Sequence, residues 1–269
     1  MPRDSVLIIK FLNLDRDGIP PMNKHDVVRA IDQNRLSLFL QPVVSTQTHR
    51  PVFYEALLRM HTEAGEIKPA ADFVVGAEEQ NYVHEIDRRA LQLAIQLLEQ
   101  HRAFDLSVNI SSLTTADFTW IRMLDELAPD RRMAHRLIVE ITETAAINDI
   151  NRTLAFVDAL RDFGCRIAID DYGAGHTNFT NLNLIAPNIV KIDQSYVARH
   201  AEPNARAFIE AVVDLGQTLS FETVAEGVET EASAVALTEM GATYLQGYLF
   251  GAPEAPQTAL SGIADQERS

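Results

Sequence analysis

The 269-residue sequence predicts an α/β protein, a TIM-type (β/α) barrel modified by an antiparallel first strand. Three observations carry that reading. Short β-branched or apolar runs alternate with stretches of helical periodicity. Eight such runs fall within about 240 residues, the strand count of this barrel. The first two are separated only by residues 45–50 (STQTHR), too short for the crossover helix that a parallel pair needs, so they pair as a hairpin.

The strands are expected at 36–44, 51–59, 105–111, 136–142, 165–171, 188–193, 221–227 and 242–248. Helices are expected between them. Residues 88–99 place Leu91, Ala94, Ile95 and Leu98 on one face, and 150–163 does the same with Leu154, Val157, Leu160 and Phe163. Residues 205–215 and 231–240 repeat the pattern, and Gly164 and Gly241 stand where helix C-caps belong. A doubly wound open sheet is the alternative, but no Gly-x-Gly-x-x-Gly follows the first run. Residues 25–269 are assigned to the barrel and 1–24 to a turn-rich lead-in or linker. Within the lead-in, Asn13, Asp15, Asp17 and Gly18 suggest a calcium loop, but Lys24 stands where its closing glutamate is required, so a turn is preferred.

Composition excludes several classes of function. With 23 basic and 38 acidic residues the net charge is −15, which opposes binding of a nucleic acid polymer or an anionic membrane. The apolar run 6–12 is broken by Lys10 and is too short to span a bilayer, so the expected location is the cytoplasm. One cysteine, Cys165, rules out internal disulfides and is read as a packed small hydrophobe. The eight histidines form no metal motif, and His176 is read as a plain loop residue.

A buried barrel strand should be nearly all apolar. Here most strands carry a polar residue toward the C-terminal end: Glu55 and Arg59, Asn109, Glu140 (with Glu143 following), Asp170 and Asp171, Lys191 and Asp193, Glu226, and Gln246. Such ends converge on the face of the barrel where its chemistry sits. Any one of them alone is more often a solvated rim residue. Together, Glu55, Glu140, Asp170, Asp171, Asp193 and Glu226 exceed what Lys191 and Arg59 can neutralise. Oxygen ligands in that number call for divalent cations, Mg²⁺ or Mn²⁺ rather than zinc, and two ions account for them best. Asp170 and Asp171 can share metals only where the backbone turns, and the Gly-Ala-Gly at 173–175 is expected to supply that turn.

Eight ordered motifs resemble the EAL domain family of bacterial cyclic di-GMP phosphodiesterases: QPVV (41–44), EALLR (55–59), SVNIS (107–111), VEITE (139–143), DDYGAG (170–175), VKID (190–193), AEGVE (225–229) and LQGYLF (245–250). The resemblance runs from about residue 27 to 255. It implies metal-dependent hydrolysis of cyclic di-GMP to linear 5′-pGpG by in-line attack of an activated water. It implies metal ligands at Glu55, Asn109, Glu140, Asp170, Asp171 and Glu226, and a catalytic set of Glu226, Lys191 and Glu55. The ligand site would be lined by Gln41, Leu57, Arg59, Asn109, Asp193 and Gln246, with Glu143 bracing the loop after the aspartate pair. A homodimer is implied as well. The chain departs from the family in that loop, where Tyr172, Ala174, His176, Thr177 and Asn178 replace the usual residues, and at NYV (81–83). The altered loop supports a second reading, an EAL-like domain that is a cyclic di-GMP receptor or a protein-interaction module. No Gly-Gly-Asp-Glu-Phe signature of a cyclase is present in the sequence.

Overall fold

The short connection at 46–50 does reverse the chain. β1 (Leu36–Ser45) returns as β2 (Pro51–His61) in an antiparallel pair with Gln41 opposite Glu55. The structure is a computed structural model that describes residues 24–175 and 179–261. The lead-in with its calcium-like turn (1–23), loop positions His176, Thr177 and Asn178, and the tail from 262 lie outside the described residues.

β4 (Asp105–Ile110), β5 (Leu137–Thr142), β6 (Arg166–Tyr172), β7 (Ile189–Ile192), β8 (Glu222–Ala225) and β9 (Tyr244–Gln246) follow. From β2 through β4 to β9 each strand lies parallel to the next, and β9 pairs antiparallel with β1. The ring of eight strands therefore closes, which excludes the open doubly wound sheet. A short extra strand, β3 (Ile67–Pro69), adds antiparallel to β2 outside the ring. Its three residues carry no period that the sequence could have shown.

The helices are α1 (Lys24–Asp32), α2 (Val74–Glu79), α3 (Val83–Gln100), α4 (Phe118–Leu127), α5 (Arg131–Ala134), α6 (Glu143–Asn148), α7 (Ile150–Phe163), α8 (Phe179–Ile185), α9 (Gln194–Val197), α10 (Pro203–Leu219), α11 (Glu231–Glu239) and α12 (Pro256–Ala259). α3 starts five residues before the expected 88, because Val83 and Ile86 extend its buried face. α10 likewise outruns 205–215 at both ends, with Pro203 preset for the first turn. α7 ends at Gly164 with φ +95, the left-handed cap expected there. β7, β8 and β9 are shorter than their apolar runs, which continue into the loops at the barrel mouth. Most of the apolar core lies between the helices and the outer face of the ring. A second, smaller cluster fills the ring itself: Val43, Phe53, Ile138, Ala168, Ile189 and Val224, with Tyr244 packed on it.

Candidate active site

The strand period of two turns that interior layer into a site. Side chains two residues apart share a face. Two positions beyond Phe53, Ile138, Ala168, Ile189, Val224 and Tyr244 stand Glu55, Glu140, Asp170, Lys191, Glu226 and Gln246. β1 runs the other way, so the same step from Val43 leads back to Gln41. An apolar plug thus supports a polar layer directly above it.

Lys191 is the hub of that layer. Its side chain is 1% exposed, and Nζ lies 2.8 Å from Glu140, 2.8 Å from Glu226, 3.1 Å from Asp170 and 3.2 Å from Glu55. Glu55 also accepts hydrogen bonds from Asn109 Nδ2 at 2.7 Å and Gln246 Nε2 at 2.6 Å. Gln246 donates in turn to Gln41 Oε1 at 3.2 Å, and Gln41 Nε2 donates to the Gly251 carbonyl at 3.2 Å. These bonds tie β4, β9 and, through Gln246, β1 to the carboxylate carried by β2.

The turn that lets Asp170 and Asp171 act together comes earlier than expected. Asp171 itself has φ +54, and the β6–β7 register shifts between Ile169 and Tyr172. The bulge, not the following Gly-Ala-Gly, brings the second carboxylate round to the side of the first. Among the described residues, Asp170, Asp171 and Glu226 form a group whose carboxylate oxygens lie within 4.8 Å of one another.

The electrostatics follow from burial and crowding. Burial pushes the Glu140 and Asp171 carboxyls up to about 8, with Asp170 and Glu55 adding like charge around them. Glu226 and Asp170 are raised by the same causes, Glu226 well above the ordinary range. Glu55 is the exception: burial opposes its charge, but Lys191 and the Gln246 and Asn109 hydrogen bonds outweigh it and hold the carboxyl low. Burial also disfavours the Lys191 charge, yet Asp170, Glu140, Glu226 and Glu55 hold its ammonium well above the usual range. One cation serves more acids than it can neutralise, and Glu140 Oε1 is buried without a hydrogen-bond partner. A hard divalent cation fits this all-oxygen set and would supply the missing charge.

The remaining predicted residues surround this centre in different ways. Glu143 opens α6 and accepts a hydrogen bond from Gly173 N at 2.9 Å. Asp193 is buried, accepts a hydrogen bond from Ser195 N at 2.9 Å to cap α9, and adds its charge to those acting on Asp171. Leu57 and Arg59 follow Glu55 on the same face of β2, toward the mouth. Arg59 does not reach the carboxylates. It donates to the Leu58 carbonyl at 3.0 Å and lies over the Phe39 ring at 5.5 Å. Tyr248, 69% exposed, is close enough to act electrostatically on Arg59. Phe39 carried no signal in the sequence, and Tyr248 lay within the LQGYLF motif without being singled out.

A buried acid behind the site was also missed. Asp87 accepts hydrogen bonds from Ser111 N at 2.9 Å and Thr114 Oγ1 at 2.5 Å, just beyond the strand end that carries Asn109. Glu78 accepts from Ser111 Oγ at 2.6 Å. Burial pushes the Asp87 carboxyl up to about 7. The available signal was its place on the apolar face of α3, four residues after Val83 and four before Leu91. Cys165 packs as expected, and burial raises its thiol to about 12.

The EAL domain family model matches residues 24–253. The bifunctional diguanylate cyclase/cyclic di-GMP phosphodiesterase MucR of Pseudomonas aeruginosa is 32% identical over 248 residues, 89% of this chain and 36% of the relative. The cyclic di-GMP phosphodiesterase PdeF of Escherichia coli is 29% identical, over 89% of this chain and 32% of its own length. The chain thus spans about a third of the length of the curated relatives it matches. Among solved structures, the MucR phosphodiesterase in complex with c-di-GMP superposes with a TM-score of 0.81 at 30% identity, covering 88% of this chain and 98% of that one. The FimX EAL domain of Pseudomonas aeruginosa bound to c-di-GMP gives 0.79 at 25% identity, covering 86% and 95%.

Proposed function

From the premise that this chain belongs to the EAL domain family, we infer that it hydrolyses cyclic di-GMP to linear 5′-pGpG. The observation that carries the reading is the crowding of Glu55, Glu140, Asp170 and Glu226 around the single buried Lys191. Mg²⁺ or Mn²⁺, most economically two ions held by Glu55, Asn109, Glu140, Asp170, Asp171 and Glu226, would polarise the phosphoryl oxygens and lower the pKa of a water.

The protein's own groups do the rest. Lys191 Nζ, fixed by its carboxylates, orients the attacking water by donating a hydrogen bond to it. Glu226 takes the proton that this water loses. The water oxygen bonds to phosphorus, the P–O3′ bond breaks opposite, and the departing 3′-oxygen takes a proton from solvent to leave as a hydroxyl. The second phosphodiester stays intact, so the product carries one free 5′-phosphate. Arg59 pairs with a phosphate at the mouth, where its planar fork suits two oxygens. Gln41, Leu57, Asp193 and Gln246 line the remaining contact surface, and the exposed Tyr248 ring offers a base an apolar face.

The test is incubation of the purified chain with cyclic di-GMP and Mg²⁺ or Mn²⁺, followed by chromatography. Linear pGpG is the expected product, and intact substrate after prolonged incubation overturns the reading. The departure of the loop after the aspartate pair, beginning at Tyr172, favours one alternative, a receptor that binds the nucleotide without cleaving it. Tight binding with no linear product selects that alternative. A homodimer belongs to the same proposal and is checked by light scattering, where the monomer mass would refute it.

A further inference from the structure

Tyr172 carries a hydroxyl that the chemistry above does not use. The residue is 2% exposed, and its hydroxyl oxygen is buried without a hydrogen-bond partner. Tyr172 is one of the positions at which the chain departs from the family it resembles. A buried hydroxyl without a partner is disfavoured, and native proteins satisfy such groups with protein or water.

The surroundings offer a water. A cavity of about 10 Å³ lies beside Tyr172, with Ile169, Leu182 and Ile185 as apolar walls and Glu143 and Asn181 as polar ones. That is room for about one water, which needs two to four polar partners. Glu143 is near enough that its charge, after burial, raises the pKa of the Tyr172 hydroxyl. Glu143 also accepts the Gly173 N–H at 2.9 Å. Gly173 has φ +105, and a Cβ there would lie 2.7 Å from Phe208 and 2.8 Å from Tyr196. The Phe208 ring stacks on Tyr196 at 3.9 Å and on Tyr172 at 6.1 Å. The backbone after Asp171 is therefore gripped by an aromatic stack on one side and by Glu143 on the other.

We propose that one buried water joins the Tyr172 hydroxyl to the Glu143 carboxylate and the Asn181 amide, making Tyr172 a positioning residue for Asp170 and Asp171. The hydroxyl donates to the water, and the water donates to Glu143. The carboxylate is thereby held against Gly173 N–H, which fixes the left-handed turn at Asp171. The consequence for metal binding rests on the reading given under the proposed function; the water itself does not.

Two measurements on the full chain test the proposal. The first is a high-resolution crystal structure of the wild type. One ordered water within hydrogen-bond distance of Tyr172 Oη and Glu143 is expected; a dry cavity overturns the proposal. The second is Tyr172→Phe, which keeps the ring and its stacking, titrated with Mn²⁺ alone by calorimetry. Affinity is expected to fall about tenfold, the lower end for loss of an outer-shell contact to a metal site. The melting temperature of the metal-free variant should stay within a few degrees of wild type. Unchanged Mn²⁺ affinity in the variant overturns the positioning role. Neither readout involves the nucleotide, so a chain that fails to hydrolyse cyclic di-GMP leaves this test intact.

Discussion

At the scale of single residues, the site depends on one positive charge placed where burial would otherwise remove it. Lys191 stays ionised because four carboxylates surround it, and they tolerate burial because of it. Removing one partner of a buried ion pair costs about 3–5 kcal/mol, since the other is left uncompensated. Lys191→Met in metal-free buffer is expected to lose stability of that order in urea titrations; an unchanged midpoint would mean that the acids are already protonated. Glu226 differs, because the proposed mechanism asks it to move a proton. Glu226→Gln should slow turnover by about 10²–10⁴-fold, the range for loss of a general base, while cyclic di-GMP still binds. Turnover near the wild-type rate would remove Glu226 from the mechanism. The acids at strand ends could be read from the sequence, because a charge in a buried strand contradicts its surroundings. The positive φ of Asp171 could not, since aspartate is compatible with several backbone conformations and nothing local marks this one.

At the scale of elements, each strand delivers its residue by simple counting, whereas α3 supports the site through a group that its periodicity concealed. Asp87 reads as a break in an apolar face, but the structure uses it to hold Ser111 N and Thr114 beyond β4. The groups that act on it are Glu78, which disfavours its charge, and Arg88, which favours it. Its folded-state pKa of about 7 lies above the ordinary aspartate value of 3.8. Between these values the unfolded chain releases the proton and the folded chain keeps it. Stability contributed by the neutral acid is therefore full below about pH 4 and lost as pH rises to about 7. The gap is worth about 4 kcal/mol. Asp87→Asn keeps an acceptor for Ser111 N and cannot ionise. The stability of the variant relative to wild type should rise by about that amount between pH 4 and 7 in parallel urea titrations. Other titrating groups cancel in the difference, so a pH-independent difference would show that Asp87 does not carry this linkage. The long amphipathic helices were predictable because three or four turns repeat a pattern. β3, α5 and α9, with three or four residues each, are too short to repeat anything.

At the scale of the whole molecule, the barrel concentrates negative charge at one end of an already acidic chain. The net charge is −15, and the mouth gathers Glu55, Glu140, Asp170, Asp171 and Glu226 in a largely buried layer. Alternating runs made the ring predictable, and the hairpin at 45–50 made its reversed first strand predictable. What the sequence could not supply was the offset between the apolar plug and the polar layer, because the barrel's stagger aligns the strands only after closure. That arrangement implies that folding and cation binding are linked. A ligand that binds only the folded state stabilises it by about 2.7 kcal/mol at one hundred times its dissociation constant. For a chain of this size, about 2 °C per kcal/mol makes that a rise of about 5 °C in melting temperature. Mn²⁺ or Mg²⁺ should produce this rise, EDTA should reverse it, and NaCl at equal ionic strength should not reproduce it, because screening acts on exposed charges and these are buried. Asp170→Ala should abolish the rise, since Asp170 belongs both to the compact trio with Asp171 and Glu226 and to the ring around Lys191. A rise that survives in Asp170→Ala would place the cation elsewhere on the acidic surface, and no rise in wild type would refute the linkage between folding and cation binding.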